Sequence, residues 1–233
     1  MACVVCGSPV LERGRGPCCV DCWSQLALVE PPFCPQCGDP APAIEGLCGI
    51  CRKGDHAFDL ARSAFLFAGP LREIIHHFKY SDRVSLAKPL GKLLKHCLDR
   101  EPFTGGLIIP VPLHRSRQRV RGFNQAELIA KHLGRPVTTR LLRRRKNTAS
   151  QTGLTRNQRK QNLAAAFEVR SRIRGTVIVV DDVFTTGSTM NEIARTLKRA
   201  GAERVEVITV ARVANYVYRA EETEISASLS ITQ

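Results

Sequence analysis

A chain of 233 residues can hold one full domain with a small module beside it. Its hydrophobic fraction of 43% is that of a globular protein, and no apolar run nears the roughly 18 residues that span a bilayer, so no membrane insertion is expected. A formal charge of +14 calls for an anionic partner: a phosphorylated small molecule, nucleic acid, or both.

The N-terminus lacks the basic and apolar regions of a secretory signal, which makes the cytoplasm the expected location. Disulfides are not expected in that reducing compartment, although the chain has 10 cysteines. Eight of them form four C-x-x-C pairs: Cys3 and Cys6, Cys19 and Cys22, Cys34 and Cys37, Cys48 and Cys51. A two-residue gap lets two thiolates face one metal from a tight knuckle, and tetrahedral Zn²⁺ needs a second knuckle to complete its ligands. The spacing predicts two successive Cys₄ zinc ribbons in residues 1–56, holding one or two structural ions. Pairing the first knuckle with the third and the second with the fourth is the alternative, and Cys18 competes with Cys19 as a ligand.

A domain over residues 57–213 follows. A strand is predicted over residues 62–68, ended by Gly69 and Pro70. Leu71, Ile74, Ile75 and Phe78 then fit one face of a helix closed by Lys79 and Tyr80. His76 and His77 sit on that helix with no acid or nucleophile beside them and read as solvent-facing. Leu86, Leu90, Leu93, Leu94 and Cys97 mark a second helix, and residues 107–113 a strand interrupted by prolines. Arg115, Arg117, Arg119 and Arg121 then fall in one predicted loop beyond a strand's carboxyl end, where open α/β sheets bind ligands. Clustered guanidiniums there suit phosphate or pyrophosphate. Asn124 is a predicted N-cap, and Gly134 the stop of its helix. Residues 137–142 read as a strand. Residues 143–160 form a long basic segment without an acid, a candidate lid over an anionic ligand or a contact to a nucleic-acid backbone.

The chain is organised around residues 177–189. Four β-branched residues, 177–180, read as a strand buried on both faces, and Asp181 and Asp182 follow it. Val183 and Phe184 lead into Thr185, Thr186, Gly187, Ser188 and Thr189, a hydroxyl-rich turn opening a helix. Free N–H groups and the helix dipole make that turn a phosphate cradle, and the carboxylates can accept from vicinal hydroxyls. Gly201 ends the helix, residues 203–211 form a last strand, and 214–233 are a polar tail. The order of elements gives a doubly wound parallel sheet, an α/β fold preceded by the cysteine-rich module.

Residues 178–189 resemble the ribose-5-phosphate-binding motif of type I phosphoribosyltransferases. The resemblance implies that Asp181 and Asp182 address the ribose of phosphoribosyl pyrophosphate (PRPP) and that Val183, Phe184, Thr185, Thr186, Gly187, Ser188 and Thr189 surround its 5-phosphate. It further implies a pyrophosphate loop at Arg115, Arg117, Arg119 and Arg121, a flexible loop carrying Lys146, Gln151 and Thr152, and Mg²⁺ bound with PRPP. The stretch from Cys3 to Val213 is similar to the ComF/GntX family, through residues 121–125, 151–154 and 159–167 as well as the cysteines. That family joins a zinc head to a phosphoribosyltransferase domain and is associated with DNA uptake in natural competence or with DNA as a nutrient. Its implied partners are PRPP or a related phosphosugar, single-stranded DNA, and a DNA-uptake helicase or recombination proteins. Two functions stand side by side: a Mg²⁺-dependent phosphoribosyltransferase of unknown acceptor, and a non-catalytic single-stranded DNA-binding factor that uses the fold as a scaffold.

Overall fold

A computed structural model describes residues 1–10, 16–41, 46–54, 56–81, 83–146 and 165–214. Four parallel strands form the sheet, in the order β1, β6, β5, β2: β1 (Leu60–Leu66), β2 (Leu107–Pro110), β5 (Thr176–Phe184) and β6 (Arg204–Arg212). A separate antiparallel pair joins β3 (Leu142–Arg144) to β4 (Phe167–Val169).

Periodicity two divides β5 between the faces of the sheet. Ile178 and Val180 belong to one core, with Leu71, Ile74, Ile75 and Phe78 of α3 (Pro70–Tyr80), Leu90 and Leu94 of α4 (Ala87–Arg100), and Ile129 of α6 (Gln125–Ala130). Val177 and Val179 belong to the other, with Met190, Ile193, Ala194 and Leu197 of α7 (Ser188–Arg199). Burying each such side chain contributes about 1.5–3 kcal/mol. Helices on both faces make the fold doubly wound, as the sequence predicts.

The cysteine-rich head straddles one edge of this sheet. Its first half, with the short helix α1 (Val20–Ser24), puts Cys3, Cys19 and Cys22 into the first core. The second half, with α2 (Gly49–Arg52), puts Cys34, Cys37 and Cys51 into the other. Between them the chain runs along β1: Leu28 bridges antiparallel to Phe65, Val29 N–H donates to Ala64 O at 3.1 Å, and Leu66 N–H donates to Ala27 O at 2.8 Å. Further along, Ala61 N–H donates to Gln36 O at 2.7 Å. The head thereby satisfies the open hydrogen-bonding edge of β1.

Several elements differ from the sequence reading. The arginine segment predicted as a loop is a helix, α5 (Arg115–Arg121). It buries no residue, so it shows no apolar stripe, yet Arg and Gln are good helix formers and both ends are capped. The His114 side chain accepts from Ser116 N–H, and Gly122 closes the helix at φ 78°. Residues 137–142 are not one strand: Val137 makes an isolated parallel bridge to Ile108, and the next strand is β3, paired with β4 away from the main sheet. β2 stops at Pro110, while β5 continues through both acids to Phe184. Among the described residues no helix is long and apolar enough to cross a membrane.

Candidate functional site

The carboxyl ends of β2 and β5 open into a cleft of about 350 Å³, walled by α3, α5, α6, β3 and the start of α7. Its charge comes from Asp181, Asp182, Lys79, Arg117, Arg121 and Arg144.

Strand alternation sends the adjacent acids to opposite faces. Asp182 shares parity with Ile178 and Val180 and forms an ion pair with Lys79 at the end of α3. Asp181 shares parity with Val177 and Val179 and lies in the field of Arg144. Each acid also folds the backbone locally: Asp181 Oδ1 accepts from Asp182 N–H at 2.9 Å, and Asp182 Oδ1 accepts from Val183 N–H at 3.0 Å. The environments push the carboxyls apart. Burial and the Asp182 charge raise Asp181 well above the ordinary carboxylate range. Burial also opposes the Asp182 charge, but Lys79 outweighs it and holds that carboxyl below its usual value. For Lys79 burial works against the ammonium, and Asp182 overcomes it, so its pKa is raised. Burial, and then the charge of Arg117, lower the pKa of Arg144, with Asp181 acting in the opposite sense.

The hydroxyl-rich turn closes one end of the cleft. Thr186 Oγ1 lies 2.8 Å from Ser188 Oγ, and Gly187, at φ 73°, is the residue before α7. Val183, Phe184, Thr185, Gly187, Ser188 and Thr189 line the cavity. A Cβ on Gly187 would sit 2.7 Å from Phe184 Cζ. Gly187→Ala is therefore expected to cost about 1–2 kcal/mol from the left-handed backbone alone, and more from displacing the ring. Thermal denaturation measures that loss, and an unchanged Tm would contradict the turn geometry.

The four arginines separate. Residues four apart share a helix face and residues two apart do not. Arg117 and Arg121 line the cleft, whereas Arg115 and Arg119 are exposed on the opposite side of α5 and do not. Arg121 Nη1 donates to Gln125 Oε1 at 2.8 Å, and its guanidinium lies 5.0 Å from the ring centre of Tyr80. Lys146 is exposed just beyond β3. Gln151 and Thr152 lie outside the described residues.

Among the cleft residues that the sequence reading does not assign to the site are Lys79, Tyr80, Gln125 and Arg144. Lys79 does carry a signal. It stands four residues after Ile75, at the margin of the apolar stripe of α3, where a cation needs a buried partner. Arg144 carries none, since nothing in its basic run distinguishes it from its neighbours.

The cysteines assemble as two clusters, Cys3 with Cys6, Cys19 and Cys22, and Cys34 with Cys37, Cys48 and Cys51, each with all Sγ atoms within 4.8 Å of one another. The interleaved pairing is not formed; Cys18 touches Cys3, Sγ to Sγ at 3.8 Å, but is not one of the four mutually close thiols. Within the clusters, Sγ–Sγ distances of 3.6 Å (Cys6 to Cys19) and 3.7 Å (Cys37 to Cys48) are close to a tetrahedral edge. Zn–S bonds of about 2.3 Å give an edge of roughly 3.8 Å. Burial opposes the thiolates of Cys3 and Cys34, but backbone N–H donors, including Cys6 and Cys19 for Cys3 and Cys48 and Cys37 for Cys34, bring them down to about 6 and about 7. The donor set and geometry fit structural Zn²⁺.

Comparison with known proteins accounts for both parts. Residues 1–52 match the double zinc ribbon domain family, and residues 119–228 match the phosphoribosyl transferase domain family. The chain is 36% identical over 220 residues to the DNA utilization protein YhgH of Escherichia coli O6:H1, a match covering 90% of this chain and 96% of that protein. It is 33% identical over 215 residues to competence protein F of Haemophilus influenzae, covering 87% and 93% respectively. To competence protein ComFC of Bacillus subtilis it is 26% identical over 203 residues, covering 83% of each. Because these matches run nearly end to end, through the zinc head and the sheet alike, the chain belongs to the ComF/GntX family.

Proposed function

We propose that this protein binds PRPP with Mg²⁺ in the cleft at the ends of β2 and β5, and that it serves DNA uptake or the use of DNA as a nutrient in the cytoplasm. The observation that carries the reading is the placement of two adjacent acids in different environments, Asp181 and Asp182, between a helix-opening turn and inward-facing arginines. Asp182, kept ionised by Lys79, accepts from a ribose hydroxyl. Asp181, on the other face of the strand, accepts from a second ribose hydroxyl. The N–H and hydroxyl groups of Thr185, Thr186, Gly187, Ser188 and Thr189 take the 5-phosphate. Arg117 and Arg121, with Arg144 opposite, face the pyrophosphate. Among the described residues the only groups of three or more candidate metal ligands are the cysteine clusters. Mg²⁺ would enter with PRPP, with few fixed ligands from the protein, and would supply charge neutralisation for the leaving group.

In a transfer reaction the bond from ribose C1 to the pyrophosphate oxygen breaks. The arginines stabilise the departing charge, while the acids hold the ribose ring in line with the incoming nucleophile. The names of the relatives, DNA utilization protein and competence protein, support a role connected with DNA, and the outward Arg115 and Arg119 support electrostatic contact with a single strand, a competing non-catalytic role.

Calorimetric titration with PRPP and Mg²⁺ tests the proposal. The wild type is expected to bind, and Asp181→Asn/Asp182→Asn to lose at least about tenfold in affinity, the 1.4 kcal/mol equivalent of one charged hydrogen bond. A wild type that does not bind defeats the proposal. Binding without pyrophosphate release, in the presence and absence of single-stranded DNA, assigns the scaffold role instead.

A further inference from the structure

Beneath the turn of residues 185–189 lies a stack of side chains that ends in the zinc head. Gly187 sits against the Phe184 ring and against His56, whose Cε1 would lie 3.3 Å from an added Cβ. Phe184 meets Phe58 edge-on at 5.9 Å between ring centres, and Phe58 stacks on His56 at 4.5 Å. On another side of Phe184 the guanidinium of Arg212 lies 5.2 Å from the ring centre. Arg212 is 1% exposed, and both of its terminal nitrogens donate to the head: Nη1 to Cys37 O at 2.7 Å and Nη2 to Asp39 Oδ1 at 2.8 Å. Gly38 between them is tightly seated, because a Cβ there would lie 2.6 Å from Ala61 O.

A buried ion pair is a poor device for stability alone, since desolvation offsets much of its attraction. As a device for orientation it is effective. Two hydrogen bonds fix the plane of the guanidinium, and that plane packs on the ring that walls the glycine of the turn. Close-packed interiors pass such constraints on. We infer that Arg212, held by Cys37 O and Asp39 of the second cysteine cluster, is a positioning residue for the turn at 185–189, which makes the head part of the phosphate-binding half of the cleft. The inference rests on the phosphosugar reading above. Linkage makes it reciprocal: seating the head favours the phosphate, and a bound phosphate favours the seated head.

The test uses the full-length, zinc-loaded protein and the variants Asp39→Asn and Arg212→Lys. Asp39→Asn weakens the grip on the guanidinium. Arg212→Lys keeps a charge beside Asp39 but removes the planar group from Phe184. Calorimetry is performed with ribose-5-phosphate and, separately, with Mg²⁺-pyrophosphate. Amide hydrogen exchange is followed without ligand. Both variants are expected to weaken ribose-5-phosphate by about tenfold while leaving Mg²⁺-pyrophosphate within about twofold. Amides of residues 185–188 are expected to exchange faster, with those of 207–209 in mid-sheet unchanged. Equal losses for both ligands would mean general loosening and overturn the inference, as would unaltered exchange and unaltered ribose-5-phosphate affinity. If the wild type binds neither ligand, the phosphosugar reading falls, and the exchange measurement alone upholds or overturns the positioning of the turn.

Discussion

Asp181→Asn is expected to stabilise the folded chain and Asp182→Asn to destabilise it, although the two residues are adjacent and chemically identical. The acids differ in what folding does to them. Asp181 has its carboxyl raised by burial and by the neighbouring charge. A raised group contributes stability that is full below the unfolded value of about 3.9 and is lost as pH climbs through the folded pKa. Asp182 is lowered overall by Lys79, so its contribution is present above that value and disappears as pH falls. At neutral pH the Asp181→Asn change therefore removes a cost, worth about 1 kcal/mol or roughly 3 °C in Tm. Its advantage over the wild type should grow as pH rises from about 4. The Asp182→Asn change leaves Lys79 without its partner. Asp181, whose charge also acts on Lys79, takes over part of that role, which limits the loss to about 2 kcal/mol. The double variant has no carboxylate left for Lys79 and should lose about 3–5 kcal/mol, well beyond the sum of the single changes. Denaturation of the variants across pH measures all of this. Equal effects of the two single changes, or additivity in the double, would refute the assignment.

Removing zinc is expected to disturb much more than the head. The cysteines of the clusters stand in both cores, and residues 27–29 and 36 occupy the outer edge of β1. A strong chelator should abolish exchange protection in the described residues of the head and also lower the opening free energy of β1 by about 3 kcal/mol or more, since the strand loses its cover on one side. The freed edge should then promote association between chains. Cys34→Ser should be more damaging than Cys6→Ser, because Cys34 is fully buried and Cys6 is exposed. Metal release that leaves β1 fully protected would show that the edge contacts carry no weight.

Features written in short repeats are legible in the amino-acid order alone. The paired cysteines, the four β-branched residues of β5 and the N-cap at Asn124 each depend on local spacing, and local spacing survives folding. Asn124 Oδ1 accepts from Ala126 N–H at 3.0 Å, as its position implies. Features created by a meeting of distant segments are not legible in that way. Lys79 and Asp182 are over a hundred positions apart in the chain. Arg144 reaches the cleft only because β3 pairs with β4 across residues 145–166. α5 is hidden for a different reason: a helix with no buried side leaves no periodic trace, and its function as a divider of arginines emerges only from its geometry. The straddling of the sheet by the head is equally hidden, since nothing in the cysteine spacing says which face each ribbon will meet.

The position of β6 has a consequence for the order of assembly. It is the last of the described strands along the chain, yet it lies between β1 and β5. While the ribosome is still producing the middle of the protein, β1 has no ladder neighbour in the main sheet, but its edge contacts with residues 27–29 and 36 are made with chain already synthesised. The head can thus accompany β1 from the start, and its final seating on Arg212 must wait until β6 has emerged. A product cut short before Arg204 would lack the centre of its sheet, not a dispensable end, and would present two unpaired inner edges to the cell's quality control.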